Sequence, residues 1–186
     1  RLHSLKSAGL SLLNLFNDMV DLTKINSKQL SLKPSTFNLT NLVNSVVREF
    51  QSQLESENII FKLAFSGSIS ENRFGDIERY SQIIRNLISK SVKFTNTKQI
   101  TVTVSETKSK SVLIAIENIG GKLNPISKKE YFTRPLNLDE TVARKSGGSG
   151  FGLSISKQIA ILMGGSVWLE SSRVSGNLIF YLSLPL

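Results

Sequence analysis

Gly147-Gly148-Ser149-Gly150-Phe151-Gly152-Leu153, followed by Ser154-Ile155-Ser156-Lys157, is a glycine-rich loop running straight into an apolar segment. Glycine lets the backbone turn through positive φ and lets a ligand approach bare N–H groups. The apolar residues behind the glycines predict a helix, whose first turn offers free N–H groups and a partial positive charge. That combination suits an anion, most often a phosphate. The plainer alternative is a flexible loop in front of a helix.

Outward from that loop, the chain has 186 residues, 40% apolar and 20% charged, enough for one domain with a real core and an appendage. Having no cysteine, it cannot build a disulfide framework, a thiolate metal site or a cysteine nucleophile, and one histidine, His3, cannot make a histidine metal cluster. No apolar run approaches the ~20 residues of a membrane span. Arg1 opens inside a helical pattern, so a longer parent protein is expected. The formal charge is +9, but the lysines are scattered and no basic run is interleaved with aromatics. A nucleic-acid partner is therefore not expected.

Residues Ser4 to Ile25 carry Leu5, Ala8, Leu12, Leu15, Met19 and Leu22 at alternating spacings of three and four, with Leu13, Phe16 and Val20 widening the apolar face. This is a bundle helix. It needs partner helices, from a second copy or from a segment upstream. The polar stretch Asn26 to Pro34 ends it. Asn38 can cap a helix over Leu39 to Ser56 whose inward face is Leu39, Leu42, Val43, Val46, Val47, Phe50 and Leu54. Ile59 to Phe65 alternates as a strand, and Ser66 to Gly75 reads as loop. Asp76 can cap a helix to Val92, with Ile77, Tyr80, Ile84, Leu87 and Ile88 inward. Gln99 to Ser105 and Val112 to Asn118 read as a hairpin. Ile119 to Gly147 has little periodicity, as in a functional lid or a disordered segment. The helix after the glycines carries Ile155, Ile159, Ala160 and Leu162 and stops at Gly164-Gly165. Ser166 to Ser171 and Asn177 to Leu184 close the chain as a second hairpin. The order predicts an α+β fold, a two-layer sandwich with helices on one face of a mixed, largely antiparallel sheet.

Four segments in this order and spacing resemble the ATP-binding catalytic domain of sensor histidine kinases, in the gyrase, Hsp90, histidine kinase and MutL superfamily. Gly75-Asp76, Arg79, Gln82, Ile83, Asn86-Leu87 and Lys93-Phe94-Thr95 look like its asparagine-bearing helix. Val112 to Gly120 looks like the strand and turn of the adenine contact. Gly148-Ser149-Gly150-Phe151-Gly152-Leu153 matches the second glycine box. Asn17 to Ile25 resembles the end of the second dimerisation helix. The resemblance implies a Bergerat-type sandwich over residues 35–186, preceded by a partial dimerisation helix and linker over 1–34. It implies ATP and Mg²⁺ as cofactors. The partners implied are a second protomer, a response regulator or receiver domain, and a membrane only through parts absent from this chain. The compartment it implies is the cytoplasm.

Residue by residue, the resemblance assigns nucleotide contact to Asn86, Lys90, Lys93, Thr95, Asn118, Gly120, Gly148, Gly150, Gly152 and Leu153, with Asn86 as a weak metal ligand. Two positions depart from the pattern. Lys90 stands where the family has its metal-binding asparagine, and an ammonium has no lone pair to give. Either Lys90 pairs with phosphate directly, or it points to solvent and the metal site is lost. Asn118 stands at the aspartate that accepts from the adenine amino group. Its amide oxygen can still accept, without charge. Lys122 replaces a following glycine. Tyr131-Phe132-Thr133-Arg134-Pro135-Leu136 resembles the phenylalanine box with altered spacing, and Phe132 reads equally as packing or switch. Arg144 and Lys145 read as phosphate contacts or as exposed lid charge. His3 lacks the acidic neighbour of a phosphoacceptor histidine, which is therefore expected outside this chain. The function implied is a histidine-kinase-like domain of a two-component or phosphorelay protein with a degenerate site. The alternative is an active kinase acting on a histidine elsewhere.

Overall fold

The strands that build the main sheet bury alternate residues, as a half-buried pleat requires. The chain is described by a computed structural model covering residues 2–67, 69–94, 96–120, 132, 151–172 and 175–185. Its order is α1 (Leu2–Asn26), β1 (Ser35–Asn38), α2 (Leu39–Glu49), α3 (Gln51–Ser56), β2 (Ile60–Ser66), β3 (Asn72–Gly75) and α4 (Ile77–Val92). There follow β4 (Gln99–Glu106), β5 (Val112–Ile119), α5 (Gly152–Leu162), β6 (Ser166–Ser171) and β7 (Leu178–Leu184). Five strands form one sheet in the order β2-β4-β5-β7-β6. β2 and β4 are parallel and the other pairs antiparallel. A parallel pair needs a crossover, and α4 lies on that connection. The inward faces of α2, α4 and α5 share one core with Val102, Ile114, Ile116, Phe180 and Leu182 of the sheet. The expected α+β sandwich is present.

The elements differ from expectation in a few places. The helix expected over Leu39 to Ser56 breaks at Phe50, whose N–H bonds to Val47 O at 3.0 Å while its ring is buried. The tightened turn redirects the chain into α3. Ser66 to Gly75 is not all loop, because β3 pairs antiparallel with β1 from Ser35↔Gly75 to Asn38↔Asn72. β3 turns Arg73 inward, where its Nη2 meets Glu106 Oε2 at 2.6 Å. Ile77, expected inward, is 38% exposed at the first position of α4, and Leu162 is 47% exposed at the last position of α5.

The first helix changes character along its length. Leu12, Leu13, Phe16 and Met19 are more than half exposed, whereas Leu22, Ile25 and Leu30 pack against the core. Between them Asp21 is buried, and its Oδ2 accepts from Arg79 Nη1 at 2.8 Å and Gln82 Nε2 at 2.7 Å. Asp76 fastens the linker in turn. One carboxylate oxygen caps α4 through Arg79 N at 3.1 Å, and the other accepts from Lys33 N at 2.8 Å. Among the described residues, no helix is long and apolar enough to cross a membrane.

Candidate nucleotide site

α4 is an amphipathic helix whose inward face continues past Leu87 and Ile88 to Ser91 and Val92. Its other candidate residues, Asn86 and Lys90, lie one turn apart on a neighbouring stripe. Both are half-buried. Asn86 Nδ2 donates to Gly152 O and to Ser156 Oγ, each at 3.1 Å. This ties α4 to the first turn of α5. A Cβ on Gly152 would stand 3.3 Å from Asn86 Cγ, so glycine allows the close approach. Phe151, at the N-cap position of α5, is helical, and among the described residues no side chain caps that helix end. Leu153 is buried in the core, so what the helix end presents there is backbone.

Lys90 does not point to solvent. Its Nζ lies 5.9 Å from the centroid of the Phe94 ring, a cation–π arrangement. Desolvation, followed by the like charge of Lys93, lowers its pKa below the ordinary lysine value. Phe94 stacks on Phe180 at 5.8 Å, Phe132 meets Phe180 edge-on at 6.4 Å, and Lys157 Nζ lies 5.9 Å from the Phe132 centroid. Phe132 is thus a buried packing residue in this arrangement. Lys93 is exposed at the C-terminal end of α4.

Asn118 closes β5 beneath α4 and is fully buried. Its Nδ2 donates to Ser91 Oγ at 3.3 Å and to Leu178 O at 3.4 Å. Its Oδ1 is buried and, among the described residues, has no hydrogen-bond partner. A buried acceptor without a partner costs roughly 1–3 kcal/mol, so the site favours a ligand donor there. Gly120, two residues on, has φ +85, and a Cβ there would stand 2.7 Å from Asn96 O. Only glycine serves in that turn.

The expected contacts at Thr95, Gly148 and Gly150, with Gly147, Ser149, Lys122, Arg144, Lys145 and the side chain of His3, lie outside the described residues. The structure brings Asn86 together with Gly152, and Asn118 together with Ser91 from the helix above. Ser91 and Ser156 were not anticipated. The signal for Ser91 was present, since a polar residue at helical spacing from Ile84 and Leu87 faces the core.

An adenine nucleotide fits the arrangement at Asn118, which offers an unpaired acceptor, and at the uncapped helix end. At the position of the family's metal-binding asparagine Lys90 offers only donors, whereas Asn86 holds α5 through its amide nitrogen, which leaves its oxygen as the group that could meet a cation. Among the described residues, no group of three or more His, Asp or Glu could hold a metal.

The family model of the histidine kinase-, DNA gyrase B-, and HSP90-like ATPases matches residues 75–186. The chain belongs to that family. Histidine protein kinase 1 of Candida albicans is 26% identical over 187 residues, covering 97% of this chain and 7% of that protein. Full-length ShkA, solved in complex with AMPPNP, superposes with a TM-score of 0.82 at 22% identity, over 98% of this chain and 37% of ShkA. The histidine kinase ThkA, solved with the response regulator protein TrrA, gives a TM-score of 0.66 at 21% identity, over 90% of this chain and 46% of ThkA. These likenesses establish the fold as that of histidine kinase catalytic domains. The chain spans 7%, 16% and 26% of the length of three curated relatives.

Proposed function

We propose that this family member is the ATP-binding domain of a two-component signalling protein, that it holds nucleotide without Mg²⁺, and that its phosphotransfer is weak or lost. The observation that carries this reading is Lys90. It stands half-buried where the family has its metal ligand, one turn from Asn86, and an ammonium has no lone pair for a cation. A bound nucleotide supplies the transferable γ-phosphoryl group. Asn118 Oδ1 accepts from the amino group of the base, and the first turn of α5 faces the phosphates with free N–H groups. Lys90 gives the phosphates a cation: at ~4 Å and an effective dielectric near ~20 the attraction is roughly 4 kcal/mol before desolvation is subtracted. A single ammonium neutralises less charge than a divalent ion and does not bridge two phosphates. Nucleotide can thus be held while the charge developing in phosphoryl transfer is poorly stabilised.

On this reading the domain signals by its conformation and its contacts. A second protomer pairs along the exposed apolar face of α1, and a response regulator or receiver domain docks on the assembled protein on the cytoplasmic side. The test is a phosphotransfer assay on the full-length parent with labelled ATP and Mg²⁺. Little or no phosphohistidine is expected. Accumulation at the rate of an ordinary histidine kinase would overturn the proposal.

A further inference from the structure

We infer that Ser91 is a positioning residue that makes the site specific for amino-bearing purines by fixing which end of the Asn118 amide faces the ligand. The inference rests on the nucleotide reading above. Asparagine differs from the aspartate it replaces in having two unlike ends, one accepting and one donating. If the amide could turn, it would serve a keto base as well as an amino base. The surroundings of Asn118 prevent the turn. Ser91 Oγ donates its single hydrogen to Leu87 O at 2.8 Å, so it meets Asn118 only with lone pairs. The Leu178 carbonyl on the neighbouring strand is likewise an acceptor. Both N–H groups of the amide are drawn to these acceptors, and the reverse orientation would set Oδ1 against two of them. The oxygen is left buried and, among the described residues, unpartnered. Ser91 itself is fully buried, and among the described residues its hydroxyl bonds only to Leu87 O and Asn118 Nδ2. Its hydroxyl therefore acts through Asn118.

The test compares the binding of ATP and inosine triphosphate, whose ring carries a keto oxygen where adenine has its amino group. The wild-type chain is expected to favour ATP by roughly tenfold or more, since a keto oxygen would leave two buried acceptors facing each other. Ser91→Ala is expected to reduce that ratio to less than about threefold, mainly by admitting inosine triphosphate, with little change in melting temperature. Ser91→Cys, similar in shape but a weak acceptor, is expected to lose discrimination too. In an Asn118→Asp background the same Ser91→Ala change should leave the ratio unaltered, because a carboxylate has no donor end to misplace. A wild-type ratio retained in Ser91→Ala overturns the inference, as does an equal loss of both nucleotides, the mark of a merely structural role. If the wild-type chain binds neither nucleotide, the nucleotide reading itself falls and takes this inference with it.

Discussion

At one end of the site a neutral amide, Asn118, is fully buried and keeps an unpaired oxygen. At the other, an ammonium, Lys90, is half-buried beside an aromatic ring and one turn from an asparagine bound to α5. Both positions depart from the family pattern, but in different ways. At Asn118 the accepting function survives, and Ser91 and Leu178 hold it in place. At Lys90 the chemistry of the side chain is inverted, from one with lone pairs to one with donors only. On the proposed reading the pocket keeps its base contact while the charge at its phosphate end is reversed, which would separate binding from catalysis.

The largest break in this comparison should come from the base end. Asn118→Leu removes the acceptor and is expected to weaken ATP binding roughly 10- to 100-fold by calorimetric titration. An unchanged affinity would mean that the base is held elsewhere. Lys90→Asn restores lone pairs at the other end. In that variant Mg²⁺ is expected to tighten ATP about tenfold over EDTA, against little change in the wild-type chain. Asn86→Ala cuts two hydrogen bonds between α4 and α5 and should cost about 1–2 kcal/mol in denaturant unfolding without creating a metal response.

The smallest effect is on pH dependence. Desolvation, then Lys93, depresses the Lys90 pKa in the free protein, and bound phosphate raises it again. Binding therefore takes up a proton where the free lysine has begun to lose its own. Affinity should be flat at neutral pH and fall a few-fold as pH rises through the depressed value, below the ordinary lysine range. In Lys90→Met the alkaline fall should be missing.

Much of this was legible from pattern. Helical spacing located α2, α4 and α5, and alternation located β4, β5 and β7, because those elements bury one continuous face in the core. β1 and β3 were not legible. They are four residues each, and β3 turns a charged arginine inward, against the usual sign of a buried position. The apolar seam of α1 did not show where the bundle face ends and the domain contact begins. That division depends on Asp21 meeting Arg79 and Gln82 from a helix far along the chain. The site followed the same rule. Asn86, Lys90 and Asn118 could be placed from motif spacing, but the free oxygen of Asn118 follows from Ser91 and Leu178, 27 and 60 residues away.

The central claim is that nucleotide is held here without a metal. Titrating the chain with ATP in Mg²⁺ and again in excess EDTA tests it most directly. Binding is expected in both conditions, with dissociation constants within about threefold of each other. Binding that needs Mg²⁺, or none in either condition, would contradict it.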